Sequence, residues 1–242
     1  MPKPVVLLTA TIFPEDVAFL KRADPIVREA DYRWALKGWL DVEGYDTLIF
    51  CENSGASLNH LEEYAASVNR HNHRVIFLSA PKSPGTQELG KGYGEMEIIQ
   101  YALDNVPTID PRQLIVKVTG RLRAANATRL LRRLELMQGD IFCSLRAKLT
   151  QADSRIFAIT PDCARKHLLP RKCDINDHKA RYIEHTVADA VHSTILGGGV
   201  WLPLPCSPLL FGHHGTTGVQ FGYSPFLRIR SQARHFLINQ TY

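Results

Sequence analysis

Residues 90–123 read GKGYGEMEIIQYALDN, then VPTIDPR, then QLIVKVTGRLR. The first part is a glycine-rich turn opening into a helix, with Met96, Ile99, Ala102 and Leu103 on one apolar face at helical spacing. Gln113 to Val118 is a short apolar strand, and Lys117, Thr119, Gly120 and Arg121 cluster at its carboxyl end. A loop, a helix and a buried strand tipped with charge form half of a nucleotide-binding α/β crevice.

The flanking sequence repeats that alternation. Val5 to Thr11, Thr47 to Cys51 and Arg74 to Leu78 read as buried strands, separated by helical patterns near Glu29–Leu40 and from Leu58 to Val68. Ser57 is placed to cap the second of these helices, and Asn126 or Thr128 a later one carrying Leu130, Leu131, Leu134 and Met137. Pro81 to Gly90 reads as a loop. Asp140–Leu145 and Arg155–Ile159 are expected strands, and Tyr182–Thr194 an expected helix with Ile183, Val187, Ala190 and Val191 inward. No repeat or low-complexity linker divides the chain. The expectation is a single α/β domain with a mainly parallel central sheet flanked by helices.

Composition narrows the function. With 242 residues, 45% hydrophobic and 22% charged, the chain can bury a full core. No run approaches the roughly 18 apolar residues of a membrane span, and the apolar start VVLLTATIF lacks a small-residue cleavage site. Five scattered cysteines without a CxxC pair point to reduced thiols in a cytosolic protein, not a zinc site. The formal charge is +5, but 112–148 holds nine Lys or Arg against two acids. Such a stretch suits nucleic acid, anionic lipid or a phosphorylated small molecule. The aromatic interleaving of an RNA-binding sheet is missing, so nucleic acid is not expected. Arg129, Arg132 and Arg133 also fit the solvated face of a helix.

The order of these pieces resembles the GT-A glycosyltransferase fold, in particular the large inverting family of bacterial polysaccharide glycosyltransferases. Thr9-Ala10-Thr11 stands where the family's first strand ends in a polar turn. Cys51-Glu52-Asn53-Ser54-Gly55 stands at the acidic turn that holds the nucleoside. GKGYGE followed by LIVKVTGR matches the Gly-rich turn, helix and strand that lead to the metal-binding DxD. Here Lys117-Val118-Thr119-Gly120-Arg121 replaces that motif, and oxygen ligands are what Mg²⁺ or Mn²⁺ requires. Fixed cations can take over the metal's task of stabilising the leaving diphosphate.

The resemblance therefore implies a metal-independent transfer from a nucleotide-sugar donor, with no further cofactor, to a surface glycan or lipid-linked acceptor. It implies a Rossmann-like nucleotide-binding half over 1–125 and an acceptor-binding half over 126–242. Thr9, Glu52 and Asn53 would face the nucleoside. Lys91, Lys117, Thr119, Arg121 and the late His214 would face the diphosphate. Glu184, with Asp153 as rival, would be the catalytic base.

Plainer roles stand beside each of these. Arg121 suits a surface ion pair, Glu52 and Asn53 a capping turn, and Asp153 with Arg155 a turn pair. Glu95, in the first turn of its helix, fits stabilisation by the helix dipole. Lys117 alternates with Val116 and Val118, so it points away from them and needs a negative partner. The mixed apolar and basic tail, Phe226 to Phe236, suits packing on the core or peripheral contact with the inner face of a membrane. A sugar nucleotidyltransferase shares the layout but would carry a Gly-rich basic loop where TATIFPED stands. A non-catalytic glycan- or protein-binding module of the same fold is the third reading.

Overall fold

The computed structural model describes residues 2–14, 21–213 and 220–221. In chain order the elements are β1 (Val5–Ala10), α1 (Pro25–Leu40), β2 (Thr47–Glu52), α2 (Asn59–Val68), β3 (Arg74–Ser79), α3 (Pro84–Leu89), α4 (Lys91–Asn105), β4 (Ile115–Thr119), β5 (Arg123–Ala124), α5 (Ala127–Leu134), β6 (Ile141–Phe142), β7 (Leu145–Arg146), β8 (Gln151–Ala152), β9 (Ile156–Ile159), α6 (Pro161–Cys163), α7 (Ile183–Leu196), β10 (Trp201–Leu202), β11 (Leu210–His213) and β12 (Gln220–Phe221). One π turn and two 3₁₀ segments cover most of 164–179 between α6 and α7.

Seven strands form the central sheet in the order β10-β6-β9-β4-β1-β2-β3. Only β9 runs against its neighbours β4 and β6; the other pairings are parallel. Both faces are covered, as parallel strands require. Along β1 the side chains alternate between two cores. Val6, Leu8 and Ala10 pack with α1, α2 and α5, while Val5 and Leu7 pack with α4 and α7. The same alternation on β4 sends Val116 and Val118 to the first core and Ile115 to the second. Lys117 shares the side of Ile115 and is 1% exposed.

The chain steps from β1 to β2 to β3 in one direction, then returns to place β4 on the other flank of β1. This reversal opens a crevice beyond the carboxyl ends of β1 and β4, where open α/β sheets bind ligands. Gly120 N–H donates to Thr9 O at 2.8 Å across its floor.

Local details depart from the sequence reading. Helix α1 begins earlier, at Pro25, because Asp24 caps it through Ile26 N and Val27 N at 2.8 and 3.3 Å. Ser57 caps nothing; α2 starts at Asn59 without a side-chain cap. The expected 81–90 loop holds α3, capped by Ser83. Asn126 precedes α5, but its side chain binds the 207–209 segment instead of the helix. The glycines of GKGYG lie at the start of α4 rather than in a free turn, and Gly90 takes φ +102°. Cys51, Cys143, Cys163 and Cys206 are buried and unbridged, and burial pushes the Cys51 and Cys143 thiols up to about 12. Among the described residues, no helix is long and apolar enough to cross a membrane. The 226–236 tail lies outside the described residues.

Candidate active site

A cavity of about 390 Å³ occupies the crevice. The ends of β1 and β4 supply Thr9, Thr11, Thr119 and Arg121, and the start of α4 supplies Lys91, Gly92, Gly94 and Glu95. The facing wall comes from beyond residue 126: Arg146, Gln151, Ser154, Arg155, Asp177, Glu184 and His213. Helix α1 adds Arg28 and Tyr32. Five Lys or Arg therefore face three carboxylates, a balance suited to an anionic ligand.

Beneath the floor, Lys117 Nζ stands 2.5 Å from Glu95 Oε1. It also donates to Ser154 O at 2.7 Å. Thr9 Oγ1 donates to the same Glu95 oxygen at 2.8 Å. Burial works to raise the Glu95 pKa, but the Lys117 ammonium, the Thr9 hydroxyl and the Arg121 charge outweigh it and hold the carboxyl below its ordinary value. Lys117 is thus spent on Glu95 and is not part of the cleft wall.

Two more expected contacts lie behind the wall. Glu52 is wholly buried, and its oxygens accept Ile12 N–H at 2.8 Å, Ser54 N–H at 2.9 Å and Ala56 N–H at 3.3 Å. It ties the β1 loop to the β2 loop. Asn53 accepts from Thr11 Oγ1 at 2.7 Å and donates to Gly94 O at 3.3 Å, so it holds Thr11 and α4 in place. Thr9, Lys91, Thr119 and Arg121 do line the cavity. Arg121 Nε donates to His213 O at 3.0 Å. His213 lines the cavity; His214 lies outside the described residues.

The two base candidates separate clearly. Glu184 is in the first turn of α7, lines the cavity and accepts from Ser154 Oγ at 2.8 Å. Asp153 does not line it. Arg155 binds both Asp153 oxygens, at 2.8 and 2.6 Å, and this pairing overcomes burial to keep the carboxyl below its ordinary value. Asp153 is the turn partner of Arg155 and not a base.

Sequence reasoning missed Asp177 and Arg28. Asp177 Oδ2 accepts Gly92 N–H at 3.3 Å at the start of α4, whereas its Oδ1 is buried without a hydrogen-bond partner among the described residues. Burial pushes its pKa up against that bond. A Cβ at Gly90 would stand 2.5 Å from the Asp177 side chain, so the glycine run signals close approach. Nothing in the sequence says what approaches. Arg28 sits at the edge of an amphipathic helix, where arginine reads as solvated. In the fold it is 4% exposed and donates to Thr11 O, Arg22 O and Tyr32 Oη at 2.7, 3.0 and 3.0 Å.

Among the described residues, no three His, Cys, Asp or Glu side chains converge as metal ligands.

Comparisons with protein-family models and with curated protein sequences found no match. Solved structures do match. A nucleotide-diphospho-sugar transferase from Desulfovibrio desulfuricans G20 is 13% identical over 84% of this chain and 80% of that one, with TM-score 0.49. Mouse xyloside xylosyltransferase 1 is 11% identical over 85% and 86%, TM-score 0.48. A cytidylyltransferase from Leptospira borgpetersenii is 15% identical over 86% and 78%, TM-score 0.46. At these identities and scores the likeness carries no weight for the reaction or for residue roles.

Proposed function

We propose that the chain is a glycosyltransferase that moves a hexosyl group from a nucleotide-sugar donor to a glycan hydroxyl without a metal ion. The reading is carried by one juxtaposition. A cationic crevice at the carboxyl ends of β1 and β4 faces a carboxylate, Glu184, presented from α7 and oriented by Ser154. Lys91 and Arg121 meet the donor diphosphate, with Thr9 and Thr119 beside it; Arg121 can bind phosphoryl oxygens through its Nη groups, since its Nε serves His213. Glu52, Asn53 and Lys117 act from behind, holding the loops that make the contacts.

In the transfer, Glu184 accepts the proton of the acceptor hydroxyl. The acceptor oxygen bonds to the anomeric carbon, and the electron pair of the breaking C–O bond leaves with the diphosphate. The 1–125 half holds the donor and the 126–242 half the acceptor. The acceptor is a bacterial surface glycan or its lipid-linked precursor, met in the cytoplasm at the inner membrane face. That finer assignment rests on the family resemblance in the sequence.

Thermal shift and donor turnover against UDP-, GDP-, CMP- and dTDP-sugars, with EDTA or with Mg²⁺ or Mn²⁺, test the reading. One donor should stabilise the protein in EDTA, and its turnover should fall on Glu184→Gln while binding persists. Stabilisation only with metal defeats metal independence. Binding without turnover that ignores Glu184→Gln favours the binding module, and release of pyrophosphate from a nucleoside triphosphate the nucleotidyltransferase.

A further inference from the structure

Among the described residues, Arg28 is a buried cation without a counter-ion. All three of its hydrogen-bond partners are neutral oxygens, Thr11 O, Arg22 O and Tyr32 Oη, and no carboxylate pairs with it among the described residues. Of the three acids within four residues of it, Glu29 makes no ion pair with it, and the other two are committed elsewhere. Asp24 caps α1, and both oxygens of Asp31 are bound by Arg22, at 2.5 and 2.8 Å. A charge at 4% exposure whose partners among the described residues are all dipoles is held at a cost that an arriving anion would remove.

The position says which ligand group would do so. Arg28 forms part of the cavity wall, and two of its five N–H groups make no hydrogen bond among the described residues. Tyr32, which carries Arg28 on its hydroxyl, also reaches the β4 end: its Cδ1 lies 3.3 Å from where a Gly120 Cβ would stand. Arg121 follows Gly120 directly and makes no direct ion pair among the described residues, its charge reaching Glu95 only through space. Two guanidinium groups thus border one floor, joined through Tyr32 and the Gly120–Thr9 backbone bond. Paired guanidinium forks match a phosphoryl group, whose several oxygens can accept from both.

We propose that Arg28, together with Arg121, binds a phosphoryl group of the ligand, and that this anion supplies the charge Arg28 lacks. The inference deepens the glycosyltransferase reading by naming the side chain that takes the donor's charge, and it rests on that reading only for the donor's identity.

The test uses inorganic pyrophosphate on the full chain, by calorimetry and thermal shift in EDTA, with wild type, Arg28→Met and Arg28→Lys. Wild type should bind pyrophosphate with an affinity that weakens as salt rises. Arg28→Met should bind at least about 30-fold more weakly, in line with loss of charge-assisted hydrogen bonds. Its ligand-free melting point should equal or exceed that of wild type, because the uncompensated charge is gone. Arg28→Lys should fall between. No pyrophosphate binding by wild type, or equal binding by Arg28→Met, overturns the proposal. So does a lower ligand-free melting point in Arg28→Met with pyrophosphate stabilisation intact, which would make Arg28 a loop anchor. Should Arg28→Met not fold, Arg28→Lys decides: an affinity equal to wild type overturns the proposal. Pyrophosphate binding that depends on Arg28, with no nucleotide sugar bound or turned over, would keep the anion site and reject the glycosyltransferase.

Discussion

Lys117 Nζ and Glu95 Oε1 lie 2.5 Å apart beneath the crevice floor, joining β4 to the first turn of α4 with the lysine almost wholly buried. The pair answers the problem posed by a lysine inside a central strand, and it spans the two elements whose ends make the site. Removing Glu95 leaves Lys117 buried and uncompensated, at a cost of about 3–5 kcal/mol. Glu95→Gln should destabilise by that order in urea unfolding, and Lys117→Met by less, because Glu95 lines the cavity and keeps the Thr9 hydroxyl. The double variant should lose less than the sum of the two. Additive losses would show that the pair is not coupled.

The same pair sets an acid limit. The folded-state pKa of Glu95 is depressed, so its contribution is complete above the ordinary carboxylate value of 4.5 and is lost as pH falls through the lower folded value. Stability of the wild type should therefore drop below about pH 4.5 more steeply than that of Glu95→Gln. Parallel pH profiles for the two would contradict the assigned ion pair.

The contrast between Lys117 and Arg28 shows where the sequence was legible. Strand alternation on 115–118 places Lys117 opposite Val116 and Val118 and demands a negative partner, and the fold supplies one. Period-two and helical patterns likewise locate β1 to β4 and the faces of α4 and α7, because burial of apolar area is a local signal. Arg28 and Asp177 carry no such signal. Each is a charged residue whose burial comes from a distant segment folding over it, α4 for Asp177 and the β1 loop for Arg28. Glu52 and Asn53 failed in the opposite sense. Their place at the end of β2 suggested ligand contact, but the adjacent β1 loop takes their oxygens first, Glu52 accepting the Ile12 N–H and Asn53 the Thr11 hydroxyl.

Asp177 should reveal its burial in a simple substitution. Its raised pKa means that the ionised form is disfavoured in the fold, so the penalty grows as pH rises from the ordinary value of 3.8 and is fully present above the folded value. Asp177→Asn keeps an acceptor for Gly92 N–H and removes the charge. At pH 7 the melting point should rise by roughly 2–4 °C, the effect of about 1 kcal/mol in a chain this size. The gain should vanish towards pH 3.8. A fall in melting point at pH 7 would mean that the carboxylate charge at the α4 terminus outweighs its burial.

Gly120 admits no side chain. A Cβ there would meet Thr9 O at 2.6 Å, and that oxygen is fixed by the Gly120 N–H bond across the floor. Gly120→Ala should cost about 1–3 kcal/mol, and it should also weaken donor binding by spreading the ends of β1 and β4. A variant of unchanged stability would show that the two strand ends are free to separate.

Ser154 connects the ion pair to the candidate base. Its carbonyl accepts from Lys117 at 2.7 Å, while its hydroxyl donates to Glu184 Oε1 at 2.8 Å. The carbonyl bond fixes the backbone, so Ser154→Ala removes only the hydroxyl that orients the carboxylate. With Glu184 taking the acceptor proton, misorientation acts on the chemical step and not on donor affinity. The expected result is a fall in kcat of about tenfold with the donor KM and the melting point nearly unchanged, since one hydrogen bond to a charged group is worth about 1.5–3 kcal/mol at most. A larger donor KM at constant kcat would place Glu184 in donor binding. No change in either would make the Ser154–Glu184 bond a structural contact at the start of α7.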